Sequence, residues 1–269
     1  MVPLAIGTQT TASTIRPASF CGAVGYRPTW GDLRCVGVKE AAGSLDTLGL
    51  IARSVEDVAL YRDVLLGVKP EPLGESGAPR IGFCRTPLWD QAEASTQGLL
   101  EGLARKLAAA GADVKDVTLP PEFARIPDAH QSISSFEFSR NFSWEIANHW
   151  ERLSKTLREN RLKHGLACSF DDYRDARTFA ERCRGLVDDA FGDRDVLLVP
   201  AASGEAPVGL DKTGNAAFCA IWTTMHVPAM TLPLFRGPNG LPVGAQFVAR
   251  RNSDRALMGA CRWVMRHAT

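Results

Sequence analysis

Very little in these 269 residues points toward a membrane, a nucleic acid or a metal. No uninterrupted apolar run approaches the ~18–20 residues that a bilayer-spanning helix needs, and no charged-then-apolar leader pattern opens the chain. Lysine and arginine number 31 against 30 aspartate and glutamate, so a formal charge of +1 gives no general attraction to phosphate backbones or anionic lipid. The seven cysteines (21, 35, 84, 168, 183, 219, 261) never fall in Cys-x-x-Cys spacing, which argues against a disulfide or zinc framework and for reduced thiols. Cys21 reads as a small buried packing residue. His130, His149, His164, His226 and His267 stand singly, without ligand spacing, and each reads as a surface or core histidine. His226 has the best claim of the five to line a channel, and is still expected not to. A Gly-x-Ser-x-Gly elbow, a Gly-x-Gly-x-x-Gly turn and a Gly-x4-Gly-Lys loop are all lacking, which disfavours an α/β-hydrolase triad and a phosphate cradle. No segment repeats or is of low complexity. The expected compartment is the cytoplasm, and no metal or cofactor is expected.

What is present starts at the amino terminus. Apolar Val2–Ile6 reads as a buried strand delivering a tight loop that runs from Gly7 to Gly22, with five hydroxyl side chains in its first half: Thr8, Thr10, Thr11, Ser13 and Thr14. Small residues let main-chain N–H groups converge on one point, the geometry that holds a developing oxyanion beside a serine nucleophile. Ser13 is that candidate serine. From its own residues alone it reads first as a loop or cap serine making local hydrogen bonds, and only second as a nucleophile.

Beyond this loop the chain alternates strands and helices. Ser54 with Asp57 three residues on opens a helix ending at Gly67, and 69–79 is a Pro/Gly/Glu-rich connector. A strand at 80–84, a helix lined by Leu99, Leu100, Leu103 and Leu107, and a strand at 112–117 form a parallel β-α-β unit. From about 129 to 191 the pattern is helical. Its aromatics Phe136, Phe138, Phe142, Trp144 and Trp150 read first as a core stripe and second as a substrate-facing wall. The mixed charges there read as a solvated helix face. Asp195–Pro200 reads as a buried central strand whose following loop, 201–207, leaves the carboxyl edge where open sheets place ligands. A helix over 215–224 with Trp222 in the core, strands at 227–233 and 243–249 around a Pro238-Asn239-Gly240 turn, and a last helix capped by Ser253-Asp254 complete the chain.

Gly7-Thr8-Gln9-Thr10-Thr11-Ala12-Ser13-Thr14-Ile15-Arg16-Pro17-Ala18-Ser19-Phe20-Cys21-Gly22 resembles, without a gap, the serine loop of the amidase signature family. Gly25–Gly31, Ser44–Gly49, Ala52–Ala59 and Gly240–Phe247 resemble later blocks of that family in the same order. The resemblance implies an α/β fold, a mixed twisted open β-sheet flanked by helices, and hydrolysis of a carboxamide C–N bond through an acyl-serine intermediate. It implies Ser13 as nucleophile and the main-chain N–H groups of Thr10, Thr11, Ala12 and Ser13 as oxyanion donors. Gln9 stands where the family has Asp, Thr11-Ala12 where it has Gly-Gly, and Arg16 one place late; pairing of Arg16 with Asp46 is the expected use of that arginine.

The family works in a Ser-Ser-Lys manner, with a lysine and a Gly/Ser-rich segment ahead of the nucleophile. Here twelve residues precede Ser13 and the first lysine is Lys39. The resemblance therefore implies an N-terminally truncated version of the fold. Residues 1–269 would be the C-terminal part of an amidase signature domain beginning at an internal methionine, with a helical insertion at about 129–191 and impaired activity. A small-molecule amide is the expected substrate, with no nucleic-acid or membrane partner. A homo-oligomer is the expected way to cover apolar edges such as Val2–Ile6 and Val196–Val199. The other readings are a catalytically inactive remnant or interaction partner, and a protein like the amide-transferring component of an amidotransferase.

Overall fold

The computed structural model describes residues 2–268; Met1, on which the reading of the chain's start rests, lies outside them. Eight strands make one mixed sheet: β1 (Leu4–Gln9), β2 (Val24–Arg27), β3 (Thr47–Ala52), β4 (Arg80–Cys84), β5 (Asp113–Val117), β6 (Val196–Pro200), β7 (Ala229–Arg236) and β8 (Pro242–Ala249). Their order across the sheet is β1-β3-β2-β7-β8-β6-β4-β5. The pairs are antiparallel from β1 through β8 to β6, and parallel from β6 through β4 to β5. The helices are α1 (Ile15–Cys21), α2 (Val55–Leu66), α3 (Ala94–Ala109), α4 (Ile126–Asn141), α5 (Ser143–His149), α6 (Lys155–Leu157), α7 (Lys163–Ala167), α8 (Phe170–Phe191), α9 (Ala217–Thr224) and α10 (Asp254–His267). A π-helical turn, Arg158–Leu162, joins α6 to α7.

Strand alternation divides the core in two. Along β6, Val196 and Leu198 point into one apolar cluster with α2, α3 and α10, while Leu197 and Val199 point into another with α1, α8 and α9. Every residue of β6 is buried, so the expected exposed edge at Val196–Val199 is not there: β4 and β8 flank it on either side. β1 departs from the reading as a buried strand and agrees with the reading as an apolar edge. It is an edge strand, and Ile6 is half exposed, because only β3 pairs with it.

Several local signals are met as read. Ser54 accepts from Asp57 N–H at 3.0 Å, and Gly67 ends α2 in the left-handed region at φ 68°. Ser253, by contrast, makes no cap bond. The buried neighbouring Asp254 turns inward instead, taking Tyr26 Oη at 2.5 Å, Thr29 Oγ1 at 2.6 Å and Thr29 N–H at 2.9 Å. Of the aromatics in the helical stretch, Phe136 and Phe138 are buried and Trp144 is exposed.

The second half of the expected serine loop is a helix, α1, and three glycines in the sheet explain how it lies so close. A Cβ on Gly49 would stand 2.2 Å from Thr14 Oγ1, one on Gly25 2.4 Å from Ala18 Cβ, and one on Gly244 2.9 Å from Ser19 Oγ. Gly49 sits opposite Gly7 in the β1/β3 register, so the sheet is flat where Thr14 rests. Ser19 Oγ accepts from Gly244 N–H at 2.7 Å and closes the contact. α1 thus lies over β2, β7 and β8, and β7 reaches the serine region through this helix, having β2 and β8 as its sheet neighbours.

Candidate active site

Between β1 and α1 the backbone is irregular, so its polar groups need partners from elsewhere. Gln9, the buried last residue of β1, provides two. Its Oε1 accepts the N–H groups of Thr14 and Ile15 at 3.0 Å each, which satisfies two donors at the start of α1. With Oε1 so engaged, Nε2 is the end that faces α9, and it donates to Thr223 Oγ1 at 3.0 Å. The Thr223 hydroxyl therefore accepts from Gln9 and directs its own proton to the Thr11 carbonyl oxygen at 2.8 Å.

The preceding carbonyl is held from α4. His130 Nε2 lies 2.9 Å from the Thr10 carbonyl oxygen, which can only accept, so Nε2 carries the hydrogen. Burial pushes the His130 pKa down to about 4, and the charges of Arg161 and Arg27 push the same way, so the ring is neutral near pH 7. Thr10 Oγ1 donates to Asp46 Oδ1 at 2.5 Å, while Asp46 Oδ2 takes the N–H groups of Ala41 and Ala42 at 2.6 and 3.0 Å.

Two arginines complete the surroundings. Arg27 is fully buried and has no carboxylate within ion-pair distance among the described residues. It donates to the carbonyls of Val227 at 2.7 Å and Thr223 at 3.3 Å, at the carboxyl end of α9, where the helix dipole favours a cation. Burial lowers its pKa to about 10. Arg161, from the π-helical turn, lies over the Phe138 ring at 4.4 Å and donates to the Ser134 carbonyl at 3.4 Å. Burial lowers its pKa and the Asp46 charge raises it.

Within this frame Ala12 is buried, Thr10 and Thr11 are half-buried and Ser13 is exposed. The Ser13 hydroxyl and the main-chain N–H groups of Thr10, Thr11, Ala12 and Ser13 make no hydrogen bond to any described residue.

Arg16 is placed otherwise than expected: it donates to the Gly214 carbonyl at 2.8 Å and to Thr213 Oγ1 at 3.2 Å, pinning the loop before α9, while Asp46 is occupied by Thr10 and the 41–42 amides. Cys21, at the end of a short helix that reaches the surface, is exposed. His226 packs inward. It is buried, stacks on Trp30 at 4.5 Å between centroids, and lies 2.8 Å from the Ser44 carbonyl. The loop after β6 is tied to the β7–β8 turn, where Glu205 takes the N–H groups of Asn239 and Leu241 at 3.1 and 2.8 Å.

Sequence reasoning singled out the loop but missed Thr223 and His130, which stand 212 and 120 residues from the carbonyls they hold. Neither carries a local signal. Gln9 did have one, as the amide at a position where the resembled family has an acid.

Among known proteins, the chain is 27% identical over 308 residues to the A-subunit of glutamyl-tRNA(Gln) amidotransferase from Neisseria meningitidis serogroup A, covering 98% of this chain and 64% of that protein. It is 29% identical over 273 residues to 2-amino-5-chloromuconic acid deaminase of Comamonas testosteroni, covering 95% of this chain and 58% of that one. A solved structure described as a crystal structure of amidase superposes with a TM-score of 0.89 at 27% identity, over 98% of this chain and 62% of the other. The chain thus spans about 64% or less of the length of these relatives. Residues 1–258 match the Amidase family model, and with the serine loop, the mixed sheet and these likenesses in agreement, the chain belongs to the Amidase family.

Proposed function

We propose that this chain carries the nucleophile and oxyanion loop of a carboxamide C–N hydrolase. The observation that carries the reading is an exposed serine, its hydroxyl bound to no described residue, that follows three main-chain N–H groups equally unbound in a loop whose carbonyls are tied down. In this reading Ser13 Oγ attacks the amide carbonyl carbon, and the carbonyl π electrons move onto its oxygen. The N–H groups of Thr10, Thr11 and Ala12 receive that oxyanion. Collapse breaks the C–N bond, the amine or ammonia leaves with a proton, and water hydrolyses the acyl-Ser13 ester.

Proton transfer is proposed to follow the Ser-Ser-Lys manner. Lys39, the first lysine of the sequence, is engaged with Glu145 at 2.9 Å, so it is not assigned the role of base. A serine hydroxyl is a weak nucleophile until a base takes its proton, and the 269 residues by themselves are accordingly expected to turn over slowly. The proposed substrate is a small-molecule amide handled in the cytoplasm. Residues 1–269 are proposed to act as the C-terminal part of an amidase signature domain, with 129–191 as its helical insertion. The exposed β1 edge gives a second copy of the chain a place to pair. Among the described residues no helix is long and apolar enough to cross a membrane. An amide-transferring role is the second reading, favoured by the presence of an amidotransferase among the matched relatives.

A fluorophosphonate probe tests the assignment. Mass spectrometry of the labelled full chain should place the adduct on Ser13, and Ser13→Ala should abolish both labelling and any hydrolysis of a small aryl amide. Labelling at another residue, or undiminished hydrolysis by Ser13→Ala, would overturn it.

A further inference from the structure

We infer that Thr223 and His130 are positioning residues that aim the oxyanion donors, and that Gln9 sets the direction in which Thr223 acts. The inference rests on the proposed role of the Ser13 loop and deepens it. In a trans peptide the C=O and the following N–H point in opposite directions, and the described residues contain no cis peptide. The Thr10 carbonyl shares its peptide unit with the Thr11 N–H, and the Thr11 carbonyl shares one with the Ala12 N–H. His130 on α4 draws the first carbonyl and Thr223 on α9 draws the second. Both helices lie on the same face of the sheet, so both carbonyls turn toward one helical layer. The Thr11 and Ala12 N–H groups consequently both turn away from it. Successive peptides of an extended strand would alternate instead.

The polarity of the chain of bonds is forced. Gln9 Oε1 is saturated by the two α1 amides, so Nε2 must donate to Thr223, and the only proton the hydroxyl has then goes to Thr11. Arg27 holds the main chain of Thr223 by its carbonyl, which limits how far α9 can shift to relax the contact. Thr10, held at its carbonyl by His130 and at its hydroxyl by Asp46, is fixed at both ends.

Two near-isosteric substitutions test this in the full chain. Thr223→Val removes the hydroxyl and keeps the shape. Gln9→Glu keeps an acceptor for Thr14 and Ile15 but replaces the Nε2 donor by a second acceptor, which would draw the Thr223 proton away from Thr11. Crystal structures of both should show the Thr11–Ala12 peptide rotated from its present orientation, whereas Thr223→Ser should keep it. On a small aryl amide, Thr223→Val should lower kcat by roughly 10²-fold with KM little changed, the loss typical of one misdirected oxyanion donor, and Thr223→Ser should restore it. A Thr11–Ala12 peptide that keeps its orientation in Thr223→Val overturns the inference whether or not the chain turns over amide, as does a Thr223→Ser variant as impaired as the valine one. Ser13→Ala separates the two claims: hydrolysis that persists in it removes the nucleophile, while the crystallographic result still decides what aims the peptides.

Discussion

The two ends of the sheet are held by different physics. At the β1 end the strands are antiparallel and the loop that leaves the edge is irregular, so Gln9, Thr223, His130 and Asp46 supply directed hydrogen bonds to backbone groups that no strand satisfies. At the β6-β4-β5 end the strands are parallel, and what is buried between sheet and helices is apolar and mostly aliphatic: Leu197, Val199, Ile81 and Leu103, with Phe83 and Phe191. The ion pairs Arg80–Asp195 at 2.6 Å and Arg85–Asp116 at 2.9 Å there lie in solvent, and the exception is Arg194, buried beside β6 and paired with Asp113 at 2.8 Å and Asp193 at 2.6 Å. Apolar burial holds regular structure without regard to direction, whereas a loop with free N–H groups is held in one shape only by partners that have direction. Substitution at the first end should therefore register in activity as well as stability, and at the second in stability alone.

The largest expected stability effect lies at the aliphatic end. Leu197→Ala leaves a cavity at a fully buried position between β6 and the α8–α9 layer, and urea unfolding should show a loss of about 3 kcal/mol. Any change in Ser13 labelling should follow the folded fraction alone. A loss near zero would mean that this end does not rest on packing.

The next effect sharpens the polar end through pH. His130 has a pKa lowered to about 4 in the folded chain against 6.5 for the free side chain. Below about pH 6.5 the unfolded chain takes up the proton first, so stability falls as pH falls from about 6.5 to 4 and levels off below. The shift corresponds to on the order of 3 kcal/mol. His226, pushed by burial to about 2, acts in the same direction through that window and on down to about pH 2, so the difference between wild type and His130→Gln isolates the His130 share. Parallel stability curves for the two proteins between pH 7 and 4 would show that His130 is not held neutral. The smallest effect returns to the parallel end. Arg85 is well exposed and shared between Glu101 and Asp116, so Arg85→Ala should change stability by no more than about 0.5 kcal/mol in a thermal melt.

Much of the fold was legible because its signals are local. The Ser54 cap, the Gly67 stop and the apolar run 196–199 each declare an element within a few residues. α1 was not legible, since Thr14-Ile15-Arg16-Pro17 combines two β-branched residues with a proline and reads as a loop. It becomes a helix because Gln9 satisfies its first donors and because glycines in β2, β3 and β8 let it settle on the sheet. The Arg16–Asp46 pairing failed for a related reason: charge complementarity proposes a partner, but Asp46 already faces Thr10 and the 41–42 amides.

By itself the sequence determined the kind of chain this is and most of its strands and helices beyond residue 54, and it marked out the serine loop, since capping, periodicity and a matched run of residues are all written over short spans. Only the tertiary structure decided which way the loop's peptides face, because that rests on hydrogen bonds across 120 and 212 residues, made by a histidine and a threonine that look like any others until the helices bring them to the loop.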